Sequence, residues 1–150
     1  MKASSKVGYE SVADGLLPER FRKVAKSVVP FWVLAVLIGS FLPGHSKQLL
    51  GTEPNGGHYH VALQHRLSHF VVFGSTALLF LLTAERQRDE AWLAAAAFFL
   101  GCFIELLQFA KGLTSVLEWW DVRDDFFSVA AVYLLFGVAL LPLRGRFRSS

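Results

Sequence analysis

Three short stretches place residues capable of chemistry in an apolar context. HRLSHF sets His65 and His69 four residues apart with Arg66 between them. ELLQ puts Glu105 three residues before Gln108, and WWDVRDDFFS carries Asp121, Asp124, Asp125 and Ser128 at recurring intervals of three and four. Such spacings place each set on one face of a helix. An imidazole near a buried carboxyl can move protons, with His69 as general base and Glu105 as the acid or orienting group. The H-x-x-x-H pair also fits zinc, with Glu105 or an aspartate as third ligand. The HExxH pattern, with its built-in base, is absent. No metal or other cofactor is therefore expected, with His65 and His69 as the candidates should one bind. His45, His58 and His60 fall in GHSKQLLGTEPNGGHYH, which reads as a loop. No G-x-S-x-G elbow frames Ser68, Thr114, Ser115 or Ser128.

Glu105 sits about five residues inside an apolar run, with LGCFI before it and LL after it. A carboxylate facing lipid there costs on the order of a few kcal/mol. It must therefore face other helices, where Arg66, Arg123, His65 and His69 are the available partners, or be protonated. An architectural reading also stands. A Glu–Arg or Glu–His pair can hold helices together, and Asp124 and Asp125 can cap a helix start.

The elements that carry these residues follow from hydropathy. Of the 150 residues 53% are apolar and 14% aromatic, with a mean hydropathy of +0.42. A soluble domain of this size cannot bury so much apolar area. Four runs, about 28–43, 67–84, 91–110 and 126–143, approach the length that crosses a hydrocarbon core of roughly 30 Å. Lipid cannot satisfy open backbone, so the runs must be helical. The expected fold class is an all-α membrane protein, a bundle of four transmembrane helices over 27–143. Residues 1–26 form a cytoplasmic segment with a short amphipathic helix around 16–25, and 144–150 a basic cytoplasmic tail. The run from Val28 to Pro43 reads as a retained helix, since no A-x-A-like site follows it.

The net charge of +3 and a pI near 9.2 do not indicate nucleic acid, because the basic residues flank apolar runs. With both termini inside, eleven Lys and Arg lie on the cytoplasmic side and four outside, in accord with the positive-inside rule. The three polar stretches then meet at the outer end. Trp119 and Trp120 suit an interfacial belt. Cys102, the only cysteine, reads as a packing residue.

RLSHFVVF, ELLQ and WWDVRDDFFSVAA resemble, in order and spacing, the motifs of VanZ-like membrane proteins, over about residues 28–143. His65 stands where that family usually has aspartate, and Lys111 is the nearest basic residue where it has arginine. Its D-x-x-x-N-x-x-G aligns on Asp124, Ser128 and Ala131, or alternatively on Asp121, Asp125 and Ser128. The resemblance implies a small integral protein of the bacterial cytoplasmic membrane and a link to the cell envelope and to teicoplanin-type resistance. The convergence of the polar residues themselves points to a polar outer-leaflet pocket formed by Arg66, His69, Glu105, Gln108, Asp121, Asp124 and Ser128. In the context the resemblance implies, the expected ligand is a membrane lipid or lipid-linked amphiphile. An intramembrane enzyme using His69 and Glu105 on a lipid-linked substrate is the alternative. A helper subunit of an envelope complex is the third reading, with a homo-oligomer also open.

Overall fold

The computed structural model describes residues 17–42, 58–113 and 119–146, without the side chains of 58–62, 64 and 140–146. Expectations resting on residues 1–16, His45, Thr114, Ser115 and the tail from 147 lie outside the described residues. Four helices are present: α1 (Glu19–Ser40), α2 (His58–Leu81), α3 (Gln87–Ala110) and α4 (Trp119–Arg146), with no strand among the described residues. The described residues are all-α, as expected.

The helix ends differ from those read in the sequence. The surface stretch at 16–25 and the first apolar run merge into one helix from Glu19, which continues through Pro30. α2 begins at His58, so His58 and His60 are helical rather than in a loop, and it stops at Leu81 instead of 84. α4 begins at Trp119. Asp124 and Asp125 therefore lie in its second turn, beyond the positions from which a side chain caps free N–H groups. At their starts α1, α2 and α4 each extend into polar sequence that hydropathy assigns to a connection.

Local chemistry explains α3 best. Its alanine-rich first half has high helix propensity. Asp89 and Glu90 lie at the positive end of the dipole, and the Arg86 backbone N–H donates to the Asp89 carboxylate at 3.0 Å. The helix ends at Lys111, followed by Gly112 with φ +67°, the left-handed conformation that glycine adopts without strain.

α2 is central, packing against α1, α3 and α4, and its most extensive contact is with α4. Small residues allow the close approach. Gly74 of α2 faces Ser128 and Val132 of α4, while Gly101 of α3 faces Asp125 and Phe73. Below them Phe73, Ala77, Leu81, Ala97, Val129 and Phe136 form the core. α1 is tied to α2 by the Trp32 indole N–H, which donates to the Thr76 hydroxyl at 3.0 Å.

α1 and α3 are each long and apolar enough to cross a membrane. α2 and α4 open with polar turns; the apolar part of α2, Phe70 to Leu81, spans only about 18 Å at 1.5 Å per residue. All four helices turn large apolar side chains outward, among them Phe31 (74% exposed) and Trp92 (78%).

At the end opposite the polar stretches, Lys26 of α1 pairs with Glu85, just after α2. The hydrogen bond and charge of Lys26 hold the Glu85 carboxyl below its ordinary pKa. A lowered carboxyl pKa contributes stability above the unfolded value and loses it as pH falls through the folded one. Acidification through and below the usual carboxylate range is expected to loosen this end of α1. Spin labels on α1 and the α2–α3 turn should report the widening, and Glu85→Gln should abolish its pH dependence.

Candidate functional site

The polar stretches of α2 and α4 meet as two parallel rungs. His65 Nε2 lies 3.1 and 3.0 Å from the two carboxylate oxygens of Asp121. One turn further in, His69 Nδ1 lies 2.8 Å from Asp125 Oδ1. Both rungs join residues 56 apart in sequence, because α2 and α4 run in the same direction and the two pairs share a four-residue spacing. The rungs are cross-linked: His69 Nε2 is 3.7 Å from Asp121 Oδ2, and the imidazoles meet edge to face at 4.7 Å between centroids.

Asp124 lies beside the rungs and gathers both arginines of the cluster. Arg123 donates from Nε and Nη2 to its Oδ1 at 2.9 and 2.5 Å, with its guanidinium over the Trp120 ring. Arg66 Nε lies 3.3 Å from Oδ2, an ion pair without hydrogen-bond alignment. Arg66, expected among the pocket's groups, thus engages a carboxylate of the protein itself. Ser128, next along α4, donates to the Phe70 backbone carbonyl at 2.9 Å and fixes α4 against α2 beneath the rungs.

Glu105 faces the bundle, as its position in an apolar run requires, and is buried. Its carboxyl is close enough to act electrostatically on His69. The direct hydrogen-bond partner of His69 is Asp125, not Glu105. Gln108 departs from expectation: its carboxamide N–H donates to the Ser40 backbone carbonyl at 2.8 Å. Ser40 is the last residue of α1, where carbonyls lack intrahelical donors and recruit a neighbouring side chain. Gln108 thereby ties α3 to α1.

Two contributors are not among the pocket residues expected from the sequence, although Asp125 enters there as a helix cap and as an alternative motif position. Asp125 is fully buried, and its second oxygen has no hydrogen-bond partner. That oxygen is directed at α3, where a Cβ on Gly101 would lie 2.5 Å from it. A signal for Asp125 existed: D-x-x-x-D at 121 and 125 has the same period as H-x-x-x-H at 65 and 69. Gly101 carried no such signal, since its role depends on which face of α3 meets α4.

The arrangement supplies an imidazole oriented through Nδ1, with Nε2 aimed at a second carboxylate and a second imidazole. It can transfer protons or hold a cation. Comparison of the chain with protein-family models, with curated proteins and with solved structures gives no match.

Proposed function

We propose that the chain is a VanZ-like integral protein of the bacterial cytoplasmic membrane, with four spanning helices and both termini inside. Its outer-end cluster binds the polar head of a membrane lipid or lipid-linked amphiphile. The observation that carries this reading is the burial of Glu105, Asp121, Asp124 and Asp125, each 6% exposed or less, at one end of the bundle, where the other end buries one carboxyl among the described residues, Glu90. Desolvating carboxylates is costly even when they are paired. One pair would be enough to join two helices; four carboxyls with His65, His69, Arg66 and Arg123 exceed that need.

The exterior supports insertion. Outward-facing Phe, Leu, Val and Trp on every helix need an apolar surround. The polar first turns of α2 and α4 suit the headgroup zone, where Trp119 and Trp120 are exposed as an interfacial belt. The eleven-to-four division of basic residues supports the orientation. The envelope role rests on the resemblance of RLSHFVVF, ELLQ and WWDVRDDFFSVAA to the family.

A bacterial host expressing the chain, compared with one expressing Glu105→Gln at equal membrane levels, tests the reading. Teicoplanin susceptibility is expected to fall with the wild type and to return to the empty-vector value with the variant. Equal susceptibility in all three strains would remove the resistance role. An intramembrane enzyme is the second reading, favoured by the His69–Asp125 hydrogen bond. In that case Asp125 orients the base, and Glu105 acts on it through charge.

A further inference from the structure

We propose that His65, His69 and Asp121 bind a single divalent cation of the zinc class, with Asp125 orienting His69 from behind. One ligand atom from each of the three residues can be chosen so that all lie within 4.8 Å of one another. Ligands about 2.0 Å from a tetrahedral zinc ion stand about 3.3 Å apart. The separations of Asp121 Oδ2 from His65 Nε2, 3.0 Å, and from His69 Nε2, 3.7 Å, bracket that value. Small side-chain rotations would therefore admit an ion without moving the helices.

A second observation comes from the other ring nitrogen. His69 Nδ1 lies 2.8 Å from Asp125 Oδ1. A hydrogen on Nδ1 leaves the Nε2 lone pair free for a metal, the carboxylate–histidine–metal arrangement that orients the ring and raises its basicity. Asp125 is fully buried, so its carboxylate is fixed by packing. Two imidazoles and one carboxylate form a donor set suited to zinc. Three protein ligands also leave a fourth position, at the side where His65 is 47% exposed. Water or a phosphate oxygen fits there. The charge balance agrees: Arg66 and Arg123 both converge on Asp124, while Asp121 and Asp125 face imidazoles.

The cation site stands on this geometry alone. It is measured without lipid or antibiotic, so its failure is distinguishable from failure of the amphiphile reading. The full chain, purified in mild detergent without a polyhistidine tag and stripped with chelator, is titrated with Zn2+ alone. One saturable site is expected. It should be lost in His65→Ala, His69→Ala and Asp121→Ala, weakened roughly 10–100-fold in Asp125→Asn, and unchanged in Glu85→Gln at the opposite end. Should a ligand variant fail to fold, Co2+ in the wild type gives a separate readout, the visible absorption of a tetrahedral nitrogen–oxygen site. Absence of saturable binding by folded wild type would overturn the proposal. So would a cobalt spectrum without tetrahedral bands. Binding that survives the His65 and His69 variants but disappears in the double variant His58→Ala, His60→Ala would assign the metal elsewhere and equally overturn it.

Discussion

Gly101→Ala is expected to lower the melting temperature of the folded chain and to displace Asp125 from His69. The added methyl would lie 2.5 Å from Asp125 Oδ2, 3.3 Å from its Cγ and 3.1 Å from Phe73 Cε1. No real Cβ tolerates the first of these distances. The carboxylate cannot simply rotate away, because its other oxygen meets His69 Nδ1 and the side chain is enclosed on all sides. Either the hydrogen bond breaks or α3 moves away from α4. Overpacking of this kind costs about 1–3 kcal/mol, opposed by the helix preference of alanine over glycine, about 1 kcal/mol. The net effect is destabilising, and the proposed cation site should weaken with it. A double-mutant cycle separates the clash from any general dislike of alanine. In an Asp125→Ala background the carboxylate is gone and only the 3.1 Å approach to Phe73 Cε1 remains, so Gly101→Ala should cost much less. Thermal unfolding in detergent, followed by circular dichroism, checks all four corners. Equal cost in both backgrounds would mean that Asp125 is not what the methyl meets.

The same contact shows what the sequence could and could not reveal. The four helices were legible because long apolar runs leave the backbone no other solution. Their ends were not, because HYHVALQ and WWDVRDD are polar enough to resemble connections, although helix continues through both. Hydropathy measures transfer into an apolar phase; it does not register a helix that extends beyond it. The meeting of HRLSHF, ELLQ and WWDVRDD at one end was legible from alternating helix direction alone. The pairing within that meeting was not. It depends on the axial register of α2 against α4, set where Gly74 admits Ser128 and where the Ser128 hydroxyl reaches the Phe70 carbonyl. That register opposes Asp121 and Asp125 to the histidines and leaves Asp124 to the arginines. Gln108 parts from the cluster for a related reason: it shares a face with Glu105 to within about 60°, but lies nearly a turn closer to the end of α3, where the last carbonyl of α1 is within its reach.

The His69–Asp125 rung should respond differently to single and double replacement, and the contrast divides stability from function. Asp125→Ala removes the acceptor from a His69 side chain that is only 13% exposed, leaving a buried N–H without its partner. That loss costs about 1–3 kcal/mol. The larger penalty of an orphaned buried charge, about 3–5 kcal/mol, does not apply in full, because the imidazole can shed its proton. Asp125→Asn keeps an oxygen for His69 and so costs less. Its amide nitrogen, however, points at α3 where Asp125 Oδ2 already lacks a hydrogen-bond partner. The expected order of melting temperature is wild type, Asp125→Asn, Asp125→Ala. Replacing both partners with apolar residues, His69→Leu with Asp125→Leu, removes the donor and the buried carboxylate together and fills the space. Paired removal of buried polar groups is commonly neutral or stabilising, so the double variant should regain most of the stability lost in Asp125→Ala. It should nevertheless bind no zinc and, if the cluster underlies resistance, give no protection against teicoplanin. A stable, inactive double variant would show that the rung is retained for its chemistry rather than for holding α2 to α4. A double variant as unstable as Asp125→Ala would instead make the pair a structural tie.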